Sequence, residues 1–161
     1  MQEIAELLER FRRGPELLAV AITGAAGPEF DFVPEPGKWT IRQIMAHVSD
    51  SEIVGADRFR RIIAEENPTL VGYDQEAWAE RLDYSRRKPS HALEMFRRIR
   101  ADSYELLKDL TEQTFGRTGN HTERGSITLR QLLRTYAEHA ENHAIQLRHV
   151  REAYRQSRAK A

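Results

Sequence analysis

Four stretches of this chain repeat apolar residues at helical spacing, and two of them open on almost the same words. Thr40-Ile-Arg-Gln43 and Thr128-Leu-Arg-Gln131 are both capping boxes. A Thr oxygen can accept the amide of the third helical residue, while the Gln at that position reaches back to the Thr amide. Behind the first box, Ile41, Ile44, Met45, Val48, Phe59, Ile62 and Ile63 mark a helical stripe until Asn67-Pro68 stops it. Behind the second, Leu129, Leu132, Leu133, Tyr136, Ala140, Leu147 and Val150 mark another, with a polar tail after about residue 154 expected to fray. The matching openings are two good helix starts and not a repeat, because the rest of the two stretches differs.

Two further helices are expected over 1–24 and 89–110. Gly14-Pro15 falls inside the first and should kink or divide it. Pro89 suits the first turn of the other. Segment 25–39, with three prolines and two glycines, reads as loop, and so does the Gly/Thr-rich segment 111–127. Segment 67–88 has no long periodic pattern beyond a short helical turn near Asp74–Leu82. A tight antiparallel connection takes about 2–8 residues, so this stretch is long enough to cross the length of a bundle. The expectation is an all-α four-helix bundle in up-down-down-up order, with a long crossover between helices two and three. At 161 residues the chain is the size of one domain.

Charge and cysteine content narrow the classes. Lys plus Arg and Asp plus Glu balance at 25 each. The arginine clusters are interspersed with acids and read as solvated helix faces, so no nucleic-acid partner is expected. No apolar run approaches the roughly 20 residues of a membrane helix, and the charged opening MQEIAELLERFRR does not read as a secretory signal. The chain has no cysteine, which excludes disulfides and thiolate ligands and fits a reducing compartment. A cytoplasmic location is expected.

The six histidines carry the chemistry. His139 and His143 stand four apart on one helix, which puts both rings on one face a turn apart, where they can grip a single ion. Measured from their caps, His47, His139 and His143 lie within roughly 80° of one another. His143 falls inside the apolar stripe; His139 and His47 lie at its flank, His47 about 100° from the stripe's centre. The wheel therefore permits, without forcing, a meeting of all three. His91, His121 and His149 read as solvent-facing or locally bonded. Three neutral imidazoles suit one divalent transition metal ion, Zn, Ni, Fe or Cu, with a position left open for water or substrate. Asp50, Glu138 and Glu141 are available to orient ligating rings. Glu52 lies within an apolar stripe and needs a partner there. It reads as a neighbour of the metal, a general base, or a core carboxylate bonded to Arg, Tyr or Trp.

The block W39-T-I-R-Q-I-M-A-H47-V-S-D50-S-E52, followed about ninety residues later by H139-A-E-N-H143-A-I-Q146-L, resembles the DinB/YfiT-like superfamily. The resemblance covers nearly the whole chain. It implies the same up-down-down-up bundle, often as a homodimer, with a metal site on the positions of His47, His139 and His143. Trp39, Asp50, Glu52 and Gln146 match family-typical positions around that site. Characterised relatives include S-transferases using bacillithiol or mycothiol and a mycothiol-dependent maleylpyruvate isomerase; others are named metal-dependent hydrolases. What the resemblance implies here is a metal-dependent thiol S-transferase or hydrolase acting on a small-molecule substrate. Asp50 or Glu52 would orient a ligand or move a proton, and Arg148 would meet a carboxylate of the thiol. The alternative is a non-catalytic metal-binding stress-response bundle.

Overall fold

A computed structural model describes residues 2–160. Four long helices dominate it: α1 (Gln2–Ile22), α2 (Ile41–Ala64), α4 (Pro89–Leu107) and α6 (Leu129–Ala159). Both capping boxes form as the sequence requires. Thr40 accepts from the Gln43 amide and Thr128 from the Gln131 amide, with each Gln side chain returning the bond. Such caps contribute about 1 kcal/mol each and fix where α2 and α6 begin, and hence the height of their histidines.

Side-chain pairs give the helix directions. Glu3 meets Arg134, Arg10 meets Glu141 and Arg151 meets the Ala21 carbonyl, so α1 and α6 run parallel. Glu52 meets Arg100 and Arg60 meets Asp102, so α2 and α4 also run parallel. Arg58 lies by Tyr136 while His47 lies by His139, so α2 and α6 oppose one another. The order is up-down-down-up. The crossover that makes it possible, 65–88, holds a short strand β1 (Thr69–Leu70), a short helix α3 (Gln75–Arg81) capped by Asp74, and a 3-10 turn at Tyr84–Arg86. Among the described residues no helix is long and apolar enough to cross a membrane.

Three details differ from the sequence reading. Segment 111–127 is more than a loop. It holds α5 (Glu112–Phe115) and most of a hairpin of β2 (Thr118–His121) and β3 (Gly125–Thr128), with β1 pairing parallel to β2. A three-residue connection followed by Gly125 at φ 72° is what turns that hairpin. The end of α6 does not fray at Tyr154 but continues to Ala159. Tyr154 packs edge-on to Phe32, and Glu152 pairs along the helix with Gln156. Finally, α1 runs unbroken through Pro15. Proline cannot donate to the carbonyl four residues back, and that carbonyl, of Phe11, is taken by Arg100 Nη1 at 2.9 Å. Gly14 makes room: a Cβ there would stand 2.8 Å from Arg100 Nη1.

Arg100 is 1% exposed. Its Nε and Nη2 donate to the two Glu52 oxygens at 2.6 Å each, Nη2 also to the Tyr136 carbonyl at 3.1 Å, and its face lies over Phe11 and Phe96. One guanidinium thus ties all four long helices. It sits between two apolar clusters, one around Leu7, Phe59 and Leu133, the other around Leu18, Met45 and Leu147.

Candidate metal centre

The antiparallel meeting of α2 and α6 settles what the helical wheel left open. His47 Nε2 stands 3.1 Å from His139 Nε2, and His143 Nε2 stands 3.1 Å from the same atom. Each histidine offers a ring nitrogen within 4.8 Å of the others, and no carboxylate joins the group among the described residues. His47 is buried; the other two are partly open to solvent.

The spacing fits a cation better than a hydrogen-bond chain. A neutral imidazole nitrogen holds either one hydrogen or one lone pair, so His139 Nε2 can serve one neighbour well but not two. An ion would accept all three lone pairs at once. Nitrogens bound to Zn at about 2.1 Å and disposed tetrahedrally lie about 3.4 Å apart, close to the spacing here. Ligation through Nε2 leaves the proton on Nδ1. In His143 that position meets Gln146 Oε1 at 2.8 Å, which is the partner expected of a ligating ring. His47 Nδ1 and His139 Nδ1 are buried with no partner. The His47 ring is instead held by Trp39, 5.0 Å away between centroids.

Burial keeps these rings neutral, the form that ligates. It holds the His47 imidazole down to about 3, with His143 adding to the effect. It holds His139 down to about 2, helped by His143, His47 and Arg100. His143 is also lowered by burial, with Gln146 opposing. The sign of the pH dependence follows. In the unfolded chain these rings take protons near 6.5; in the folded chain they do not until far lower pH. Between those limits the unfolded state binds more protons, so stability falls as pH falls. Thermal melts of the metal-free protein from neutral pH down to about 4 should show this fall. A His139→Asn variant should show a shallower one, by up to about 1.4 kcal/mol per pH unit. Identical slopes would mean that His139 is not held neutral.

The other residues singled out by sequence fall outside the cluster. Glu52 is fully buried and bound in bidentate fashion by Arg100, the third of its three possible settings. Burial pushes its carboxyl up and the guanidinium pulls it down; the geometry is that of an ion pair. Asp50 does not reach a ligand. It accepts from Arg87 at 3.1 Å and lies beside the Tyr84 phenol, whose ionisation burial and Asp50 push well above the ordinary phenol range. Glu141, and more distantly Glu138, are occupied by Arg10 of α1. Arg148 bonds the Ala144 carbonyl of its own helix. His91 and His149 are exposed, as expected. His121 is locally bonded, accepting from the Glu123 amide at 3.2 Å, but it is buried on β2 and not in a loop. The hairpin that carries it was the missed element, and its turn glycine was the available signal.

A parallel-pair helical bundle with three converging imidazoles between α2 and α6 has the build of a metal-dependent enzyme scaffold. Residues 10–147 match the DinB superfamily, and the chain belongs to it. It is 32% identical over 130 residues to a Bacillus subtilis protein named "Putative metal-dependent hydrolase YfiT", covering 80% of this chain and 73% of that one. An Oceanobacillus iheyensis protein with the same description, OB0782, is 31% identical over 141 residues, covering 87% and 81%. The solved structure of YfiT, described as "a probable metal-dependent hydrolase with an unusual four-helix bundle topology", superposes with a TM-score of 0.85 at 28% identity, over 96% of this chain and 87% of YfiT. A mycothiol-dependent maleylpyruvate isomerase shares the fold, with a TM-score of 0.71 at 17% identity, over 89% of this chain and 60% of that one.

Proposed function

We propose that the chain is a metal-dependent enzyme in which His47, His139 and His143 hold one divalent transition metal ion, Zn, Ni or Fe, and that it transfers a low-molecular-weight thiol to an electrophilic small molecule. The observation that carries this reading is the convergence of three imidazole nitrogens with no carboxylate among them. Three neutral ligands leave the ion its full charge and at least one open position. When bound, such an ion lowers the pKa of a coordinated thiol or water.

The chain's own residues do the rest. Gln146 fixes the tautomer of His143, Trp39 fixes the plane of His47, and Arg100, bonded to both Glu52 and the Tyr136 carbonyl, ties α2 to α6. Glu52 has its two oxygens committed to Arg100, so the reading gives it a positioning role and not a proton-transfer one. In the reaction the thiol loses its proton to solvent, and sulfur forms a bond to the electrophilic carbon. The leaving group departs with the electrons of the broken bond. Among the described residues no carboxylate joins the three rings to take a proton from water, which favours thiol transfer over hydrolysis. Hydrolysis is the second reading, favoured by the descriptions of the Bacillus subtilis and Oceanobacillus relatives.

The test is to load the protein with Zn, Ni or Fe and incubate it with bacillithiol or mycothiol and a chlorinated aromatic electrophile, alongside ester and amide panels. A thiol-dependent rate at least tenfold above the metal-free protein is expected. Turnover of esters without thiol selects hydrolysis. Metal-dependent stability, with no turnover in any arm, leaves the non-catalytic metal-binding bundle.

A further inference from the structure

Arg58 lies eleven residues after His47 on α2, which places it within about 20° of the same face and about 16 Å further along the helix. Helical side chains lean toward the N-terminus, so its guanidinium leans back toward the histidines. Arg58 is 9% exposed. Among the described residues no carboxylate lies within ion-pair distance of it, whereas Arg100, the other buried arginine among them, is held by both Glu52 oxygens. Its Nη2 donates to the Val71 carbonyl at 2.6 Å, its Nη1 reaches the Tyr136 hydroxyl only at 3.4 Å, and its Nε is buried with no partner. A buried cation with an idle N–H and no counter-ion is costly unless something else completes it.

The Tyr136 hydroxyl is the side-chain partner of Arg58. Tyr136 lies flat against α2 because residue 55 is glycine; a Cβ there would stand 2.4 Å from the ring. Burial raises the Tyr73 phenol, with Ser51 and Arg58 opposing. Burial lowers the His121 imidazole, and Arg58 adds to the effect. These groups continue directly into the histidine cluster: the Tyr136 and His139 rings are 6.2 Å apart between centroids. The cover is the stretch Val71–Tyr73 between β1 and α3, whose Val71 side chain faces solvent.

We infer that Arg58, beside the Tyr136 hydroxyl, is the anchor for a carboxylate on the small molecule whose other end lies at the three histidines. The Val71 carbonyl holds Arg58 Nη2 until the carboxylate takes Nη2 and Nε together, the two-pronged geometry a guanidinium offers. This inference rests on the metal reading above and adds to it the substrate class: an anionic molecule with its carboxylate at Arg58 and its metal-binding group at the histidines.

The probe is a series of ω-mercaptoalkanoic acids of increasing chain length, and their methyl esters, titrated into the cobalt(II)-loaded protein. Thiolate binding is read from the sulfur-to-cobalt absorption band. At the best chain length the acid should bind about tenfold or more tighter than its ester, since a charge-assisted hydrogen bond is stronger than a neutral one. Arg58→Gln should bring the acid down to the ester's affinity, and Arg58→Lys should keep part of the preference. Equal binding of acid and ester by the wild type, or a preference that survives Arg58→Gln, overturns the inference and leaves the metal reading intact; Arg58 then only ties the Val71 loop to α2. Failure of the wild type to take up cobalt overturns both.

Discussion

Arg100→Met should destabilise the protein by about 3–5 kcal/mol, because it strands a fully buried carboxylate. At roughly 2–4 °C per kcal/mol for a chain of this size, the melting temperature should fall by about 6–20 °C. The argument runs from the geometry. Arg100 and Glu52 are 1% and 0% exposed as side chains, and water cannot replace either partner. The Phe11 carbonyl, released by Pro15, loses the Arg100 donor in the same substitution. Replacing both members of the pair, Glu52→Leu with Arg100→Met, removes the stranded charge and should recover most of the loss. It should not recover all of it, since an unsatisfied buried carbonyl still costs about 1–3 kcal/mol. Paired urea or thermal melts of the single and double variants decide the matter. A single variant within about 1 kcal/mol of wild type would mean that the pair does not hold the four helices together.

The second large effect is on metal affinity and not on folding. His139→Ala should weaken binding of zinc or nickel by well over a hundredfold, beyond the roughly 10–100-fold typical of losing an outer-shell partner. His139 is the sharpest choice because its Nε2 stands 3.1 Å from each of the other two rings. Its removal leaves His47 and His143 without the nitrogen between them. The same substitution removes a buried imidazole with an unpartnered Nδ1, so the metal-free variant should melt within a few degrees of wild type near neutral pH. Calorimetric titration with metal, set beside melts of the metal-free proteins, separates the two effects. Arg100→Met and His139→Ala should thus fail in opposite ways.

Local signals were enough for much of this. Capping boxes at Thr40 and Thr128 set the starts of α2 and α6, apolar spacing set their stripes, and the length of 67–88 set the parallel pairing of α2 with α4. The His139–His143 pair needed only helical geometry. His47 was harder, since a ring about 100° off the stripe's centre becomes interior only when Trp39, Tyr84 and the crossover cover that flank. The small sheet joins segments fifty residues apart, β1 to β2, through two residue pairs, and no local pattern specifies such a match. The partner of Glu52 was equally invisible. The sequence demanded one, but choosing Arg100 depends on Gly14 and Pro15 clearing space and freeing a carbonyl on a third helix. Long-range polar pairing of this kind is decided by packing, where many arginines compete on composition alone.

The most direct measurement is the X-ray absorption spectrum at the metal edge of the tag-free protein loaded with one equivalent of zinc or nickel. Three imidazole nitrogens at about 2.0–2.1 Å, with the remaining ligation from light atoms of solvent, is the predicted first shell, and it should lose one imidazole in each of His47→Ala, His139→Ala and His143→Ala. A first shell with fewer than three imidazoles in the wild type, or one that any of these substitutions leaves unchanged, would contradict the account.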